Sequence, residues 1–274
     1  MTHPVRIAIL GPTGRLGRAI SSALLDSPDF QLVGAVVRAE SRFAGHDIGE
    51  ILERRPLGVY AETHLEEAVE NAELVIDASL PAMTVAAAQR LATLGGPALV
   101  TGVTGLTAQQ EEMLDAAALR IPILKASNFS LGVAVAEALV SQAAALPARD
   151  WDIEISETHH KMKADAPSGT AVMLGRAAAR KRGISLEEAA IWSREGSMGP
   201  RETGTIGFAV SRGGSIVGEH SVRFIAELEE ICISHRAFDR SIFANGAIEA
   251  ARWMANAGKG RDAALYSMQD VVAG

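Results

Sequence analysis

Short apolar runs alternate with segments of helical spacing over the first half of the chain. Val5–Leu10 is apolar except at Arg6, a glycine-rich turn follows, and Arg18–Leu25 then repeats apolar residues at helical intervals. Further apolar runs at Gln31–Val37, Leu74–Ala78, Ala98–Val103 and Ile121–Lys125 are separated by helical patterns such as Pro81–Leu94 and Ala108–Leu119. Strands alternating with helices predict a parallel sheet wound on both faces, so residues 1–127 read as one dinucleotide-type domain.

The texture changes after Asn128. Ser130–Leu146 is a long Ala/Val/Leu helix, and Asp152–Ser156 alternates as a half-exposed strand. Thr205–Arg212, Ser215–Ala226 and Glu229–His235 then follow without helices between them, which predicts an antiparallel or mixed sheet. One face of such a sheet is free to pack on another subunit. Phe243–Ala255 is a last helix, and Tyr266–Val272 a short tail.

A length of 274 residues suits two coupled domains. With 48% hydrophobic and 22% charged residues, a disordered or fibrous class is excluded. A net charge of -7 argues against a nucleic-acid partner, while leaving room for a local cationic pocket. The one cysteine, Cys232, precludes an intrachain disulfide, which fits a reducing compartment. In the alternating run Glu230–Ser234 it reads as a small buried packing residue. No apolar h-region follows Met1, and no stretch has the length and apolarity of a membrane span, so a cytoplasmic protein is expected.

Gly11-x-x-Gly14-x-x-Gly17 lies between the first strand and the first helix, a variant of the dinucleotide fingerprint. Glycine lets the backbone turn tightly against a pyrophosphate, and the helix N-terminus offers unpaired N–H groups. Asp77-Ala-Ser79 and Thr101-Gly-Val-Thr-Gly105 sit at the carboxyl ends of later strands, where they would line a nicotinamide pocket.

The densest chemistry lies in Glu157–Ala171. His159, His160, Lys161 and Lys163 fall within five residues, and Pro167-Ser-Gly-Thr170 opens a helix over Ala171–Lys181. Ser168 is placed as its N-cap, and the N–H groups of Gly169 and Thr170 suit a carboxylate. Adjacent histidines on an extended segment point in opposite directions and no second cluster completes a tetrahedral set, so no metal is expected. The remaining readings are a solvated basic loop, or acid catalysis combined with anion binding.

The segment E-x-H-H-x-x-K-x-D-A-P-S-G-T-A resembles the signature of the 4-hydroxy-tetrahydrodipicolinate reductase family. Further blocks agree: the Gly11–Gly17 loop, Val103-Thr-Gly105, Ala126-Ser-Asn-Phe-Ser130, Arg194-Glu-Gly196, Gly204-Thr-Ile-Gly-Phe208, Val217-Gly-Glu-His220, Arg240 and Phe243-Ala-Asn-Gly246. The likeness covers nearly the whole chain.

This resemblance implies NADH- or NADPH-dependent reduction of a small cyclic unsaturated dicarboxylate in lysine and diaminopimelate biosynthesis. It implies a Rossmann-type doubly wound domain over 1–127, with 241–274 packing back on it. A smaller α+β substrate-binding and oligomerisation domain with a mixed sheet would span 128–240 and build a homotetramer. His159 would be the general acid/base and Lys163 the proton donor. His160, Lys163, Ser168, Gly169, Thr170 and Arg240 would hold the two carboxylates. Gly11, Pro12, Thr13, Gly14, Arg15, Leu16, Asp77, Gly102, Val103, Thr104, Ala126, Ser127, Asn128 and Phe129 would contact the cofactor. The chain departs from the family where Asp77-Ala-Ser79 replaces Asp-Phe-Thr, and where Arg38 replaces the usual acidic residue after the second strand. Arg38, with Arg15 and Arg42 near it, favours NADPH over NADH; alternatively Glu40 holds the ribose hydroxyls.

Two other readings compete. An amino-acid-pathway dehydrogenase of the homoserine or aspartate-semialdehyde kind is one, but the semialdehyde class needs a loop thiol, and Cys232 is strand-like. The Tyr-x-x-x-Lys class is excluded, since His64 follows Tyr60 and Asp270 follows Tyr266 at that spacing. A nucleotide-sensing protein with a dead site is the other, opposed by the intact His159, Lys163 and Arg240 set.

Overall fold

A strand buried on both faces must be apolar at successive positions, and β1 (Val5–Leu10) meets this with only Arg6 exposed. The computed structural model describes residues 3–256 and 260–274. The parts of the expected ranges 1–127 and 241–274 that fall on residues 1, 2 and 257–259 lie outside the described residues.

From β1 the chain runs through α1 (Arg15–Leu25), β2 (Phe30–Val36), α2 (Ile48–Ile51), β3 (Ala61–Glu62), α3 (Leu65–Val69), β4 (Leu74–Asp77), α4 (Pro81–Leu94), β5 (Ala98–Thr101), α5 (Ala108–Ala118) and β6 (Ile123–Lys125). Next come α6 (Leu131–Ala143), β7 (Asp152–His159), α7 (Gly169–Arg182), α8 (Leu186–Ala189), β8 (Ala190–Ile191), β9 (Ile206–Arg212), β10 (Gly218–Ile225) and β11 (Glu230–Ala237). It ends with α9 (Ser241–Ala255), β12 (Leu265–Tyr266) and α10 (Met268–Ala273). Backbone contacts divide it into two units, residues 3–130 with 241–256 and 260–274, and residues 131–240.

The first unit holds a seven-stranded parallel sheet in the order β12-β6-β5-β4-β1-β2-β3. Strand order reverses between β1 and β4, and in open sheets ligands bind outside the carboxyl ends of strands at such a point. Ala87, Ala88 and Leu91 of α4 and Leu114 of α5 pack with Val75 and Leu99 in one core, while α1 and α9 lie against each other. The tail, read from the sequence only as short, adds an edge strand in which Leu265–Tyr266 pairs with Ile123–Leu124; two residues are too short for a periodic signal.

The second unit is a mixed five-stranded sheet, β11-β10-β7-β9-β8. β9 runs parallel to β7 because α7 and α8 carry the chain back across the sheet, whereas β10 is antiparallel to both β7 and β11. One face packs Ile153, Ile155, Phe208, Val222 and Phe224 against Val140 of α6 and Leu174 and Ala178 of α7. β7 continues past the expected end at Ser156 because β9 and β10 flank it up to His159 and Thr158.

Cys232 is a correction. It lies on a strand, as expected, but is exposed rather than buried. It pairs across the ladder with Arg223, which alternates with the buried Val222 and Phe224, so it lies on the face away from the core beside the Ser221 and Ser234 hydroxyls.

Candidate active site

In the first unit the loop after β1 is shaped by the chain itself. Gly11 has φ of +75°, and a Cβ there would lie 2.8 Å from the Ala78 carbonyl oxygen in the loop after β4. A Cβ at Gly17 would lie 2.0 Å from the Gly11 oxygen. Gly14 differs, since a Cβ there would meet only the Gly11 oxygen, at 3.6 Å. Gly14 is the N-cap of α1 and provides no side-chain cap, and no acidic residue follows in the first turn. This is an open, electropositive helix terminus with backbone N–H groups to offer, and it fits a pyrophosphate. Arg15 and Leu16 belong to the first turn of α1 rather than to the loop.

Pro12 is buried and Thr13 half-buried. Arg18 is anchored by its guanidinium to the Thr13 and Ile51 carbonyls. Arg42 and Arg18 both stack on the Phe43 ring, at 4.7 and 5.5 Å from its centroid. Arg38 and Glu40 are exposed beyond the end of β2.

Asp77 ends β4. Its side chain is fully buried and accepts hydrogen bonds from Ser79 N, Ser79 Oγ, Thr84 Oγ1 and Thr101 Oγ1. Burial pushes its carboxyl above the ordinary range, against the pull of these donors. Asp77 therefore ties the loop after β4 and the start of α4 to the end of β5. The Phe129 ring, 2% exposed, lies under Gly102, where a Cβ would come within 2.3 Å of it. Val103 and Ala126 are buried too, so Gly102, Thr104, Ser127 and Asn128 form the accessible part of this rim. Gly246 is dictated by close approach, since a Cβ there would lie 1.8 Å from the Phe129 oxygen.

In the second unit the apolar core face of the sheet turns polar at one end. Along β7, Ile153 and Ile155 give way to Glu157 and His159; along β10, Phe224 and Val222 give way to His220 and Gly218. All of these are buried. His159 Nδ1 lies 2.6 Å from Glu157 Oε2. Arg212, opposite His159 on β9, donates to both Glu157 oxygens, at 2.7 and 2.9 Å, and to the Asp165 carbonyl at 2.7 Å. Burial pushes the Glu157 carboxyl up, but Arg212, His159 and the Ser168 N–H together hold it below the usual range.

Ser168 caps α7 as expected, accepting from Ala171 N. However, its N–H donates to Glu157 Oε1 at 2.9 Å, its Oγ lies 2.9 Å from His220 Nε2, and it is 2% exposed. Ser168 is thus tied within the protein through both its N–H and its hydroxyl. Gly169 and Thr170, the first helical residues, lie further out. Lys163 pairs with Asp165 at 2.7 Å. His160 is half-buried and is held below the usual imidazole range by desolvation and by the charges of Arg240, His159, Lys163 and Arg212. Arg240, exposed after β11, therefore acts on the same segment.

His220 is pushed down to about 4, first by burial and then by the charge of His159. Its ring packs edge-on against His159 with centroids 5.1 Å apart. A histidine depressed in the folded state stabilises fully above its unfolded value of 6.5, and that contribution is lost as pH falls toward 4. The interval corresponds to roughly 3 kcal/mol, at about 1.36 kcal/mol per pH unit. Denaturant unfolding from pH 7 to 4.5 should show the wild type losing stability more steeply than His220→Gln. Parallel curves would refute this reading of His220.

Sequence reasoning gave no role to Glu157, Arg212 or His220. The period-2 spacing of Glu157 and His159 was a usable signal for one shared face. The register that sets His220 against Glu157 and Arg212 against His159 is not local information.

Residues 5–129 match the family described as "Dihydrodipicolinate reductase, N-terminus", and residues 132–272 match its C-terminus counterpart. The 4-hydroxy-tetrahydrodipicolinate reductase of Caulobacter vibrioides is 50% identical over 99% of this chain and 98% of its own length. The protein of the same name from Agrobacterium fabrum is 46% identical over 98% and 96%. Among solved structures, a dipicolinate-bound dihydrodipicolinate reductase from Paenisporosarcina sp. TG-14 superposes with a TM-score of 0.76, covering 97% of this chain and 99% of that one. Its 21% identity makes it a match of fold.

Proposed function

The chain belongs to the dihydrodipicolinate reductase family, and we propose that it reduces 4-hydroxy-tetrahydrodipicolinate to tetrahydrodipicolinate with a reduced nicotinamide cofactor, in lysine and diaminopimelate biosynthesis. The observation that carries this reading is the folding of Glu157–Thr170 into one polar cluster at the N-terminus of α7.

The first unit holds the nucleotide. The backbone at Gly11–Gly14 and the first turn of α1 take the pyrophosphate, and Gly102, Thr104, Ser127 and Asn128 border the nicotinamide. When bound, the reduced nicotinamide supplies a hydride to carbon 4 of the substrate ring. The N–H groups of Gly169 and Thr170, with His160, Lys163 and Arg240, hold the two carboxylates and fix the ring. Negative charge then develops on the enamine side of the C=C–C=N system, and His159 and Lys163 deliver the proton that quenches it. The C=C–C=N system itself forms when the 4-hydroxyl and a carbon-3 hydrogen leave as water; one hydride at carbon 4 and one proton then enter.

NADPH is the preferred cofactor in this reading. Arg38 stands two residues beyond the end of β2, where a 2′-phosphate would sit, and has no ion-pair partner among the described residues. A charge-assisted hydrogen bond of about 1.5–3 kcal/mol predicts a preference of about tenfold to a hundredfold. Steady-state turnover of the dicarboxylate with each cofactor tests both function and preference. Wild type should favour NADPH, and Arg38→Glu should shrink or invert the ratio; an NADH preference in wild type would make Glu40 the ribose ligand instead.

A homotetramer built on the second unit's sheet and a cytoplasmic location complete the proposal. The first is supported by the family resemblance and by the uncovered outer face of β10 and β11. The second is supported by the absence of any cysteine pair. Among the described residues no helix is long and apolar enough to cross a membrane.

A further inference from the structure

We propose that Glu157 is the positioning residue of the proton-transfer step: it fixes the tautomer of His159 and ties that imidazole to the helix terminus that receives a substrate carboxylate. The inference rests on the reductase reading above and adds a residue to it.

The Glu157 side chain is 1% exposed. A carboxylate enclosed to that degree stays ionised only if its charge and lone pairs are compensated. Here the compensation is complete on both oxygens. Oε2 faces His159 Nδ1 at 2.6 Å and Arg212 Nη1 at 2.7 Å. Oε1 accepts from Arg212 Nη2 and from the Ser168 N–H, each at 2.9 Å. The forked guanidinium is the geometry that best neutralises a carboxylate.

An ionised carboxylate only accepts hydrogen bonds, so the Nδ1 of His159 must carry the proton and Nε2 becomes the nitrogen that exchanges one. The surroundings of Nε2 agree. A Cβ at Gly218 would lie 2.9 Å from it, so glycine keeps that side of the ring clear.

The same carboxylate reaches the substrate side. Ser168, held through its N–H, is the N-cap of α7, and Gly169 and Thr170 follow it directly. Arg212, while clamping Glu157, also grips the Asp165 carbonyl in the loop that carries Lys163. One buried ion pair thus sets the imidazole, the helix terminus and the lysine loop in a common frame. Without it His159 could take either tautomer, and part of its neutral population would present the wrong nitrogen.

The test combines histidine-selective ¹⁵N NMR of the full chain with kinetics of Glu157→Gln. Neutral wild-type His159 should carry its proton on Nδ1, and the variant should show mixed tautomers. Its kcat should fall at least about tenfold, since losing the carboxylate that sets a catalytic histidine's tautomer can cost up to about 10⁴-fold, with the NADPH dissociation constant and the dicarboxylate KM changing little. Glu157→Asp, which keeps the charge, should recover part of kcat. An Nε2–H tautomer in wild type overturns the proposal, even if no variant folds. So does a folded Glu157→Gln with wild-type kcat, or one that loses thermal stability alone. A wild type that shows the Nδ1–H tautomer but does not reduce the dicarboxylate would instead defeat the reductase reading.

Discussion

Replacing His159 or Lys163 by alanine is expected to lower kcat for the dicarboxylate by about 10²- to 10⁴-fold, the usual worth of a positioned acid or base, while leaving NADPH binding intact. His159 is 9% exposed and lies on β7, and Lys163 is on the loop that follows; both belong to the second unit. The dinucleotide loop belongs to the first, so cofactor affinity should not register either change. The two losses should differ in character. His159→Ala removes a ring in contact with Glu157 and His220, so it leaves a buried carboxylate short of one donor and should also cost stability. Lys163→Ala breaks only a pair with the exposed Asp165, so its melting temperature should be close to wild type. Single-turnover and steady-state rates, with thermal unfolding of each variant, provide the check. Wild-type turnover in both would remove these residues from the mechanism.

The second large effect concerns Gly17 and Gly14, which a motif treats as equivalent. A methyl at Gly17 would sit 2.0 Å from the Gly11 backbone oxygen, and no side-chain rotation relieves that contact. Gly17→Ala should open the turn, cost about 1–3 kcal/mol as overpacking does, and lower the melting temperature by several degrees, at roughly 2–4 °C per kcal/mol. NADPH binding should fail with it. Gly14→Ala meets nothing closer than 3.6 Å within the chain. It should fold with wild-type stability, yet weaken NADPH at least about tenfold, because the pyrophosphate needs the space that the methyl would fill. Thermal unfolding and cofactor titration separate the two. Equal loss of stability in both variants would mean that Gly14 serves the fold rather than the ligand.

Local sequence carried much of this molecule. Period and punctuation located β1, α4 and the longer strands of both sheets to within a few residues, because whether a strand is buried on one face or two is written in its apolar spacing. Ser168-Gly-Thr170 announced a helix start because capping is a matter of adjacent residues. The glycine loop was legible for the same reason. Two-residue strands such as β12 carried no period and were invisible.

What the sequence by itself determined, then, was the alternation of elements, the cap of α7, the glycine turn and the roster of chemical groups in Glu157–Thr170. Only the tertiary structure decided how those groups are shared. Asp77 and Ser168 are internal ties, because each is enclosed by donors or acceptors brought from elsewhere in the chain. Cys232 looked like core and is exposed, because the face on which an alternating strand buries its residues depends on where α6 and α7 pack. Glu157, Arg212 and His220 became neighbours through strand register, with Arg212 and His220 lying 55 and 52 residues from their partners Glu157 and Ser168. Pairing over such separations is set by the cooperative burial of whole strands, and no window of sequence contains it.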